Sequence, residues 1–372
     1  MMPLTMKIPL YRPQLDIEDE AVALKVIRSG KLSRGDQVEK FEEEFAKYMG
    51  KSHAIMVNSG TSGLHLGIKS LGWKQGDEVI TTPYSFVATS NVLLHEGIKP
   101  IFVDIDQKTL NINVQKIPQK INSKTKGILP VHIWGLLADM GQIKKLKEEH
   151  GLQVLEDSCQ AIGRPSKSFP VAQVGDVTVF SFFESKQMTS AGEGGVIVTD
   201  NRMVGNLCRS LRDQGRSSEK NWLDHVRLGY NYRMTEIQAA VGRVQLKKLQ
   251  KMLIQRTKLA DLYTKLLKKF DSMETPFESD RYRRSWFLYF VVFKNQALRD
   301  KVQRRLLNKG IECKTYFPPI TSYREFKKRG YSINACPVAQ NIYKRSLALP
   351  LFPSLKPEEV EYIVKEIDLS VK

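Results

Sequence analysis

Little in this sequence of 372 residues suits a secreted, membrane-spanning or disordered protein. Its four cysteines, Cys159, Cys208, Cys313 and Cys336, are scattered without paired spacing. Neither a disulfide framework nor a cysteine metal site is expected, and the thiols fit a reducing cytoplasm. No run of about 20 apolar residues is present to span a bilayer. The opening stretch from Met1 to Pro13 lacks the apolar core of a signal peptide. Internal repeats and low-complexity tracts are also missing. What is there is ordinary for a globular chain, with 41% hydrophobic and 26% charged residues. The length suits about two domains of roughly 150 residues each.

Negative charge is the scarce commodity. There are 58 Lys and Arg against 40 Asp and Glu, a formal charge of +18. The imbalance is uneven, because Leu246–Lys372 holds 27 basic and 13 acidic residues while Met1–Gln245 holds 31 and 27. A basic end piece can meet nucleic acid, an anionic surface or a small anion, or can be a solubilising surface. No nucleic-acid reading motif accompanies it, so no nucleic-acid partner is expected.

Short β-rich runs alternate with helical patterns over the first 245 residues. His53–Val57, Glu78–Thr82, Pro100–Val103, Gly127–Val131, Leu152–Glu156, Val177–Phe182 and Gly195–Thr199 read as strands. Helical patterns lie after Ser62, over Ser85–His95 and over Met140–His150. This alternation predicts an α/β fold with a mainly parallel, seven-stranded sheet covered by helices. From Val244 to Leu266 the apolar spacing predicts one long amphipathic helix, followed by a strand at Phe287–Phe293 and helices at Asp300–Lys309 and Pro357–Lys372. The division expected is a large domain, 1–245, and a smaller C-terminal α/β domain, 246–372.

Three local patterns could carry chemistry. Ser59-Gly60-Thr61-Ser62 joins a strand to a helix, where unpaired N–H groups and the helix dipole can seat a phosphate; a plain N-cap turn is the alternative. Glu156-Asp157 ends an apolar strand at the sheet edge where ligands bind, although an Asp there can equally cap a helix. Lys186 leaves a strand and enters the glycine-rich stretch Gly192-Glu193-Gly194-Gly195. An amine so placed can be desolvated into a nucleophile, or can be one more surface charge. Taken together, a phosphate turn, an acid and a lysine match the three anchors of pyridoxal 5'-phosphate (PLP).

Nine short motifs in order extend that match. Ser29-Gly30 and Phe41-Glu42 come first, then Ser59-Gly60-Thr61 with Leu64-His65-Leu66. Gly76-Asp77-Glu78-Val79-Ile80, Phe102-Val103-Asp104-Ile105, and Pro130-Val131-His132 with Gly135 and Ala138-Asp139-Met140 follow. Glu156-Asp157 with Gln160-Ala161, Lys186 with its glycine run, Leu228–Met234 with Gln238-Ala239-Ala240, and Tyr316-Phe317-Pro318-Pro319 complete the set. In these the chain resembles the DegT/DnrJ/StrS-type nucleotide-sugar aminotransferases, which have the type I, aspartate-aminotransferase fold.

The resemblance implies a role for each matching residue. Lys186 would be the Schiff-base lysine and Asp157 the partner of the pyridinium nitrogen. Gln160 would contact the ring's hydroxyl side and Phe86 would stack on the ring. Gly60, Thr61, Ser62 and Ser181 would bind the phosphate, and Asn231 would reach the phosphate in a neighbouring subunit of a homodimer. No metal is implied. The implied reaction moves an amino group from L-glutamate, through the pyridoxamine form, to a 3- or 4-keto-sugar carried on a nucleotide diphosphate. Alternatives on the same fold are an aminotransferase for a cyclitol ketone and a PLP-binding regulator without turnover. Relatives that dehydrate sugars carry histidine in place of the lysine, so Lys186 favours transamination. Gln187-Met188 departs from the more usual Asn and aliphatic residue, and Ser190-Ala191 departs from the usual residues before the glycine run.

Overall fold

The computed structural model describes residues 7–164, 166–167, 169–217, 223–278 and 283–371. Seven strands build the main sheet: β1 (His53–Val57), β2 (Glu78–Thr81), β3 (Lys99–Phe102), β4 (Thr125–Leu129), β5 (Gln153–Asp157), β6 (Val177–Ser181) and β7 (Gly195–Thr199). Their order is β1-β7-β6-β5-β4-β2-β3. Every pairing is parallel except those of β7, which runs antiparallel to β1 and β6.

The apolar runs follow from burial on both faces, as expected of a covered parallel sheet. Ala54 and Met56 of β1 join Phe180 of β6 and Phe41 and Phe45 in one core, which the long helix caps through Leu246, Leu249 and Met252. The alternate residues Ile55, Val57, Val177, Val179 and Ile197 join Leu64, Leu66 and Ile68 on the opposite face.

Strand directions decide where the site lies. β1, β5 and β6 end at one edge, and the antiparallel β7 begins there, with Gly195 paired to both Val57 and Ser181. The sequence beyond these ends therefore gathers Ser59, Asp157, Ser181 and the glycine run at a single crevice.

The long helix runs Glu236–Leu267, starting eight residues before the predicted Val244. Its start is set by a capping box between Thr235 and Gln238, upstream of the first leucine of the periodic pattern. Residue 245 therefore lies inside this helix. Beyond it, β8 (Met273–Glu274), β9 (Tyr289–Phe293) and β10 (Ser346–Leu349) form an antiparallel sheet in the order β10-β9-β8. A second core of Leu259, Tyr263, Trp286, Tyr289, Val302, Leu306, Leu349 and Ile363 includes Ile8 from the chain's beginning, which bridges Ile311.

Candidate active site

A cavity of about 1020 Å³ opens at this sheet edge, and all nine predicted residues line it: Gly60, Thr61, Ser62, Phe86, Asp157, Gln160, Ser181, Lys186 and Asn231. The turn comes first. Ser59 caps the helix Gly60–Ser70, its Oγ accepting from Ser62 N–H at 3.1 Å. Ser62 Oγ donates to Asn58 Oδ1 at 2.6 Å. In this structure the N–H and O–H of Ser62 both brace the turn. Among the described residues the N–H groups of Gly60 and Thr61 have no acceptor, which is the anion-seating state of a helix start.

Glycine is required twice beside this turn. A Cβ on Gly60 would lie 2.9 Å from both Cys159 Sγ and Ser181 Cβ. One on Gly195 would lie 2.7 Å from the carbonyl carbon of Ser59. The glycine run after Lys186 therefore lets β7 pass against the phosphate turn, and the close approach brings the Ser181 hydroxyl to it.

The two adjacent carboxylates point opposite ways, as strand alternation dictates. Asp157 faces the cavity. Its Oδ2 accepts from Thr89 Oγ1 at 2.7 Å and its Oδ1 from Cys159 N–H at 3.1 Å. Ser85 Oγ lies 3.0 Å from Thr89 Oγ1 and steadies it. Glu156 turns into the core, where it accepts from His132 Nε2 at 3.0 Å and from the N–H groups of Ala172, Val174 and Gly175. Ala138 N–H donates to His132 Nδ1, which fixes the proton on Nε2. Burial works to raise the Glu156 pKa, but His132 and the Gly175 and Ala172 N–H groups outweigh it and hold the carboxyl below its ordinary range.

Lys186 Nζ lies 4.2 Å from the centre of the Phe287 ring. Enclosure by the cavity wall lowers its pKa, against the pull of Cys159, Asp157 and Glu193. A lowered pKa leaves more free amine near neutrality, as a nucleophile or proton carrier needs. Gln160 Oε1 accepts from Trp134 N–H at 3.1 Å, so its amide NH₂ is what it offers the cavity. Phe86 is 59% exposed on the cavity wall, a ring face without cover. Asn231 lies on the same wall, its carbonyl accepting from Asn58 Nδ2 at 3.4 Å.

Three functional neighbours escaped the sequence reading. Thr89 orients Asp157 from 68 residues away, and no local spacing announces it. Phe287 was legible only as a strand residue. Tyr11 donates to Glu184 Oε1 at 2.8 Å, tying the chain's beginning to the lysine loop. That bond and partial burial push the Tyr11 hydroxyl up to about 12.

The residues fit PLP. Two free N–H groups and two hydroxyls can hold a dianionic phosphate, Asp157 can hold a protonated ring nitrogen, Gln160 can donate to a ring oxygen, and Lys186 can bond to an aldehyde.

Comparison with known proteins agrees with this geometry. Residues 13–368 match the DegT/DnrJ/EryC1/StrS aminotransferase family. GDP-perosamine synthase of Vibrio cholerae is 34% identical, over 96% of this chain and 97% of that protein. A pleiotropic regulatory protein of Geobacillus stearothermophilus is 36% identical, over 95% and 97%. Among solved structures, Helicobacter pylori PseC, an aminotransferase involved in the biosynthesis of pseudoaminic acid, superposes with a TM-score of 0.92 at 29% identity, over 98% of this chain and 99% of that one.

Proposed function

The chain belongs to the DegT/DnrJ/EryC1/StrS aminotransferase family, and from that premise we propose that it carries an amino group from L-glutamate to a nucleotide-linked keto-sugar. The convergence of Lys186, a doubly held Asp157 and two free N–H groups in one cavity carries this reading.

When bound, PLP supplies an electron sink for the charge that develops at the substrate Cα. The chain's own residues do the rest. Asp157, held by Thr89 and Cys159 N–H, keeps a proton on the ring nitrogen by its negative charge. Gly60, Thr61 and Ser181 seat the phosphate, with Ser62 bracing their turn. Gln160 donates to the ring's oxygen, and Phe86 covers one ring face. Lys186, its pKa lowered by enclosure, removes the proton from the substrate Cα and returns it on the other side of the reaction as general base and acid.

The reading extends to a homodimer with shared sites. Leu228 is 96% exposed three residues before Asn231, an apolar side chain that a second subunit would cover while Asn231 reaches the neighbouring phosphate. It also takes 1–245 as the cofactor-holding part and 246–372 as the part that closes over it, with the segment around Ile8 packed against the latter. A cytoplasmic setting suits four cysteines that are all free thiols. Among the described residues no helix is long and apolar enough to cross a membrane.

The test is direct. Purified protein loaded with PLP should absorb in the visible range, glutamate should bleach that band, and a keto-sugar nucleotide should restore it. A Lys186→Ala protein turning over at the wild-type rate would refute the scheme. Regulation without turnover is the second reading, favoured by the name of the Geobacillus relative; a visible band that glutamate leaves unchanged would select it.

A further inference from the structure

Gln187 follows Lys186 yet is 2% exposed, a polar side chain in the core. Its Nε2 donates to Gln160 C=O at 2.9 Å and to Ser285 Oγ at 3.2 Å, with Ser285 C=O at 3.3 Å. Ser285 is fixed twice more. Its N–H donates to Gly135 C=O at 2.9 Å, and its Oγ accepts from Ile162 N–H at 3.2 Å. Two residues beyond Ser285, Phe287 lies over the Lys186 amine. One buried amide therefore joins three walls of the cavity: the lysine's own segment, the backbone of Gln160 and the segment that carries Phe287.

The crossing it ties is tight. Trp134 and Trp286 hold left-handed backbone, with φ of 51° and 40°. Gly135, next to Trp134, has φ 88°, and a Cβ there would lie 2.7 Å from Trp286 N. Bulky residues keep such conformations only where surrounding bonds over-determine them, and such places cluster at functional sites. A side chain one methylene shorter, such as Asn, cannot span Gln160 and Ser285 from the same backbone position.

We propose that Gln187 is a positioning residue for Lys186, fixing the amine between the Gln160 wall and the Phe287 ring through its bonds to Gln160 and Ser285. The proposal rests on the reading of Lys186 as the cofactor-bonding lysine. Gln187 itself does not line the cavity. It sets how deeply the amine is enclosed, and enclosure is what lowers the lysine's proton affinity.

The test compares full-length wild type with Gln187→Leu, Gln187→Asn and Ser285→Ala. The cofactor-free protein is treated with formaldehyde and cyanoborohydride across a pH series, and methylation of Lys186 is read by peptide mass spectrometry. Q187L should move the midpoint of this profile upward by about 1, the tenfold change in free amine expected when the group regains water. Its rate of PLP capture near neutral pH should fall by about the same factor. Q187N should move in the same direction by less, and S285A, which keeps the Gln160 bond, by less again. An unchanged midpoint in Q187L, with only its melting temperature lowered, overturns the proposal. Should Q187L fail to fold, unchanged midpoints in both Q187N and S285A overturn it equally. Shifted methylation midpoints in a protein that captures no PLP would uphold the positioning role and refute the cofactor reading.

Discussion

Glu156 and Asp157 are neighbours of the same charge, and neutralising them one at a time should give opposite results. Glu156→Gln keeps the shape but turns one acceptor oxygen into an NH₂ group. If that oxygen is Oε2, His132 Nε2–H and Ala172 N–H lose their acceptor; if it is Oε1, Val174 and Gly175 N–H do. Either way two donors lose their acceptor, buried in the first case and part-buried in the second, at about 1–3 kcal/mol each, so E156Q should lose about 2–6 kcal/mol. In Asp157→Asn nothing need be stranded. Cys159 N–H keeps its oxygen, and the Thr89 hydroxyl can turn from donor to acceptor. D157N should therefore stay within about 1 kcal/mol of wild type. Its activity should fall by about 100-fold or more, because an amide supplies no charge to hold a proton on the ring nitrogen. Urea unfolding near neutral pH and turnover per folded molecule measure the two effects. An acid series adds a check with a definite sign. The Glu156 pKa is depressed in the folded protein, so its stabilisation is complete above the ordinary value of 4.5 and is lost as pH falls through the lower folded-state value. The stability gap between wild type and E156Q should close only in that acid window. E156Q as stable as wild type, or D157N losing as much stability as E156Q, would refute the division of labour.

Thr89→Val removes the 2.7 Å bond to Asp157 at nearly constant volume; turnover should fall about tenfold and Thr89→Ser should restore most of it, as steady-state assay would show. Gly60→Ala forces a methyl to within 2.9 Å of Cys159 Sγ and Ser181 Cβ; PLP affinity, read by fluorescence titration, should drop at least about tenfold, or 1.4 kcal/mol. The lowered Lys186 pKa fixes the sign of a pH profile, since turnover should rise as pH climbs through that value and level off below the ordinary lysine value of 10.5. A rise centred at 10.5 would show that enclosure does not govern the amine.

Much of the fold was legible because the sheet is buried on both faces, so its strands stand out as apolar runs between turn residues. The strands read at Val177–Phe182 and Gly195–Thr199 were visible in this way, but their mutual direction was not, since a glycine-rich connection permits either sense. Helices that bury only a narrow stripe were harder. Arg202–Arg212 buries little beyond Val204, Gly205, Cys208, Ser210 and Leu211, and its three arginines and one asparagine mask the period. Chemistry and chain order together pointed to Lys186 and Asp157, and the structure places both on the wall of one cavity. The site was illegible where a group acts through another across the fold, as Thr89, Gln187 and Tyr11 do. Ser62 shows a detail that residue type alone does not give. Its residue type suits a phosphate site, but a hydroxyl beside Asn58 finds a nearer acceptor.

The basic C-terminal third also reads differently once its arginines are placed. From the sequence, a small anion and a solubilising surface were both open accounts of it. Yet Arg256 and Arg284 are buried, and burial pushes each guanidinium down to about 10. Arg256 donates to the carbonyls of Trp286, Phe287 and Leu351, and Arg284 to that of Phe277, with Ile133 and Trp134 carbonyls at 3.5 Å. Lys248 grips Asp16 and Asp19 at 2.6 and 2.9 Å, pinning the first helix to the long one. The two buried arginines serve backbone carbonyls, those of Ile133, Trp134, Trp286 and Phe287 among them at the crossing that Gln187 ties, and carbonyls are acceptors that bring no negative charge to the count. A chain that secures irregular backbone with guanidinium groups accumulates positive charge without any polyanion partner. Part of the excess is therefore structural, and only the exposed remainder is free to draw an anionic substrate toward the cavity.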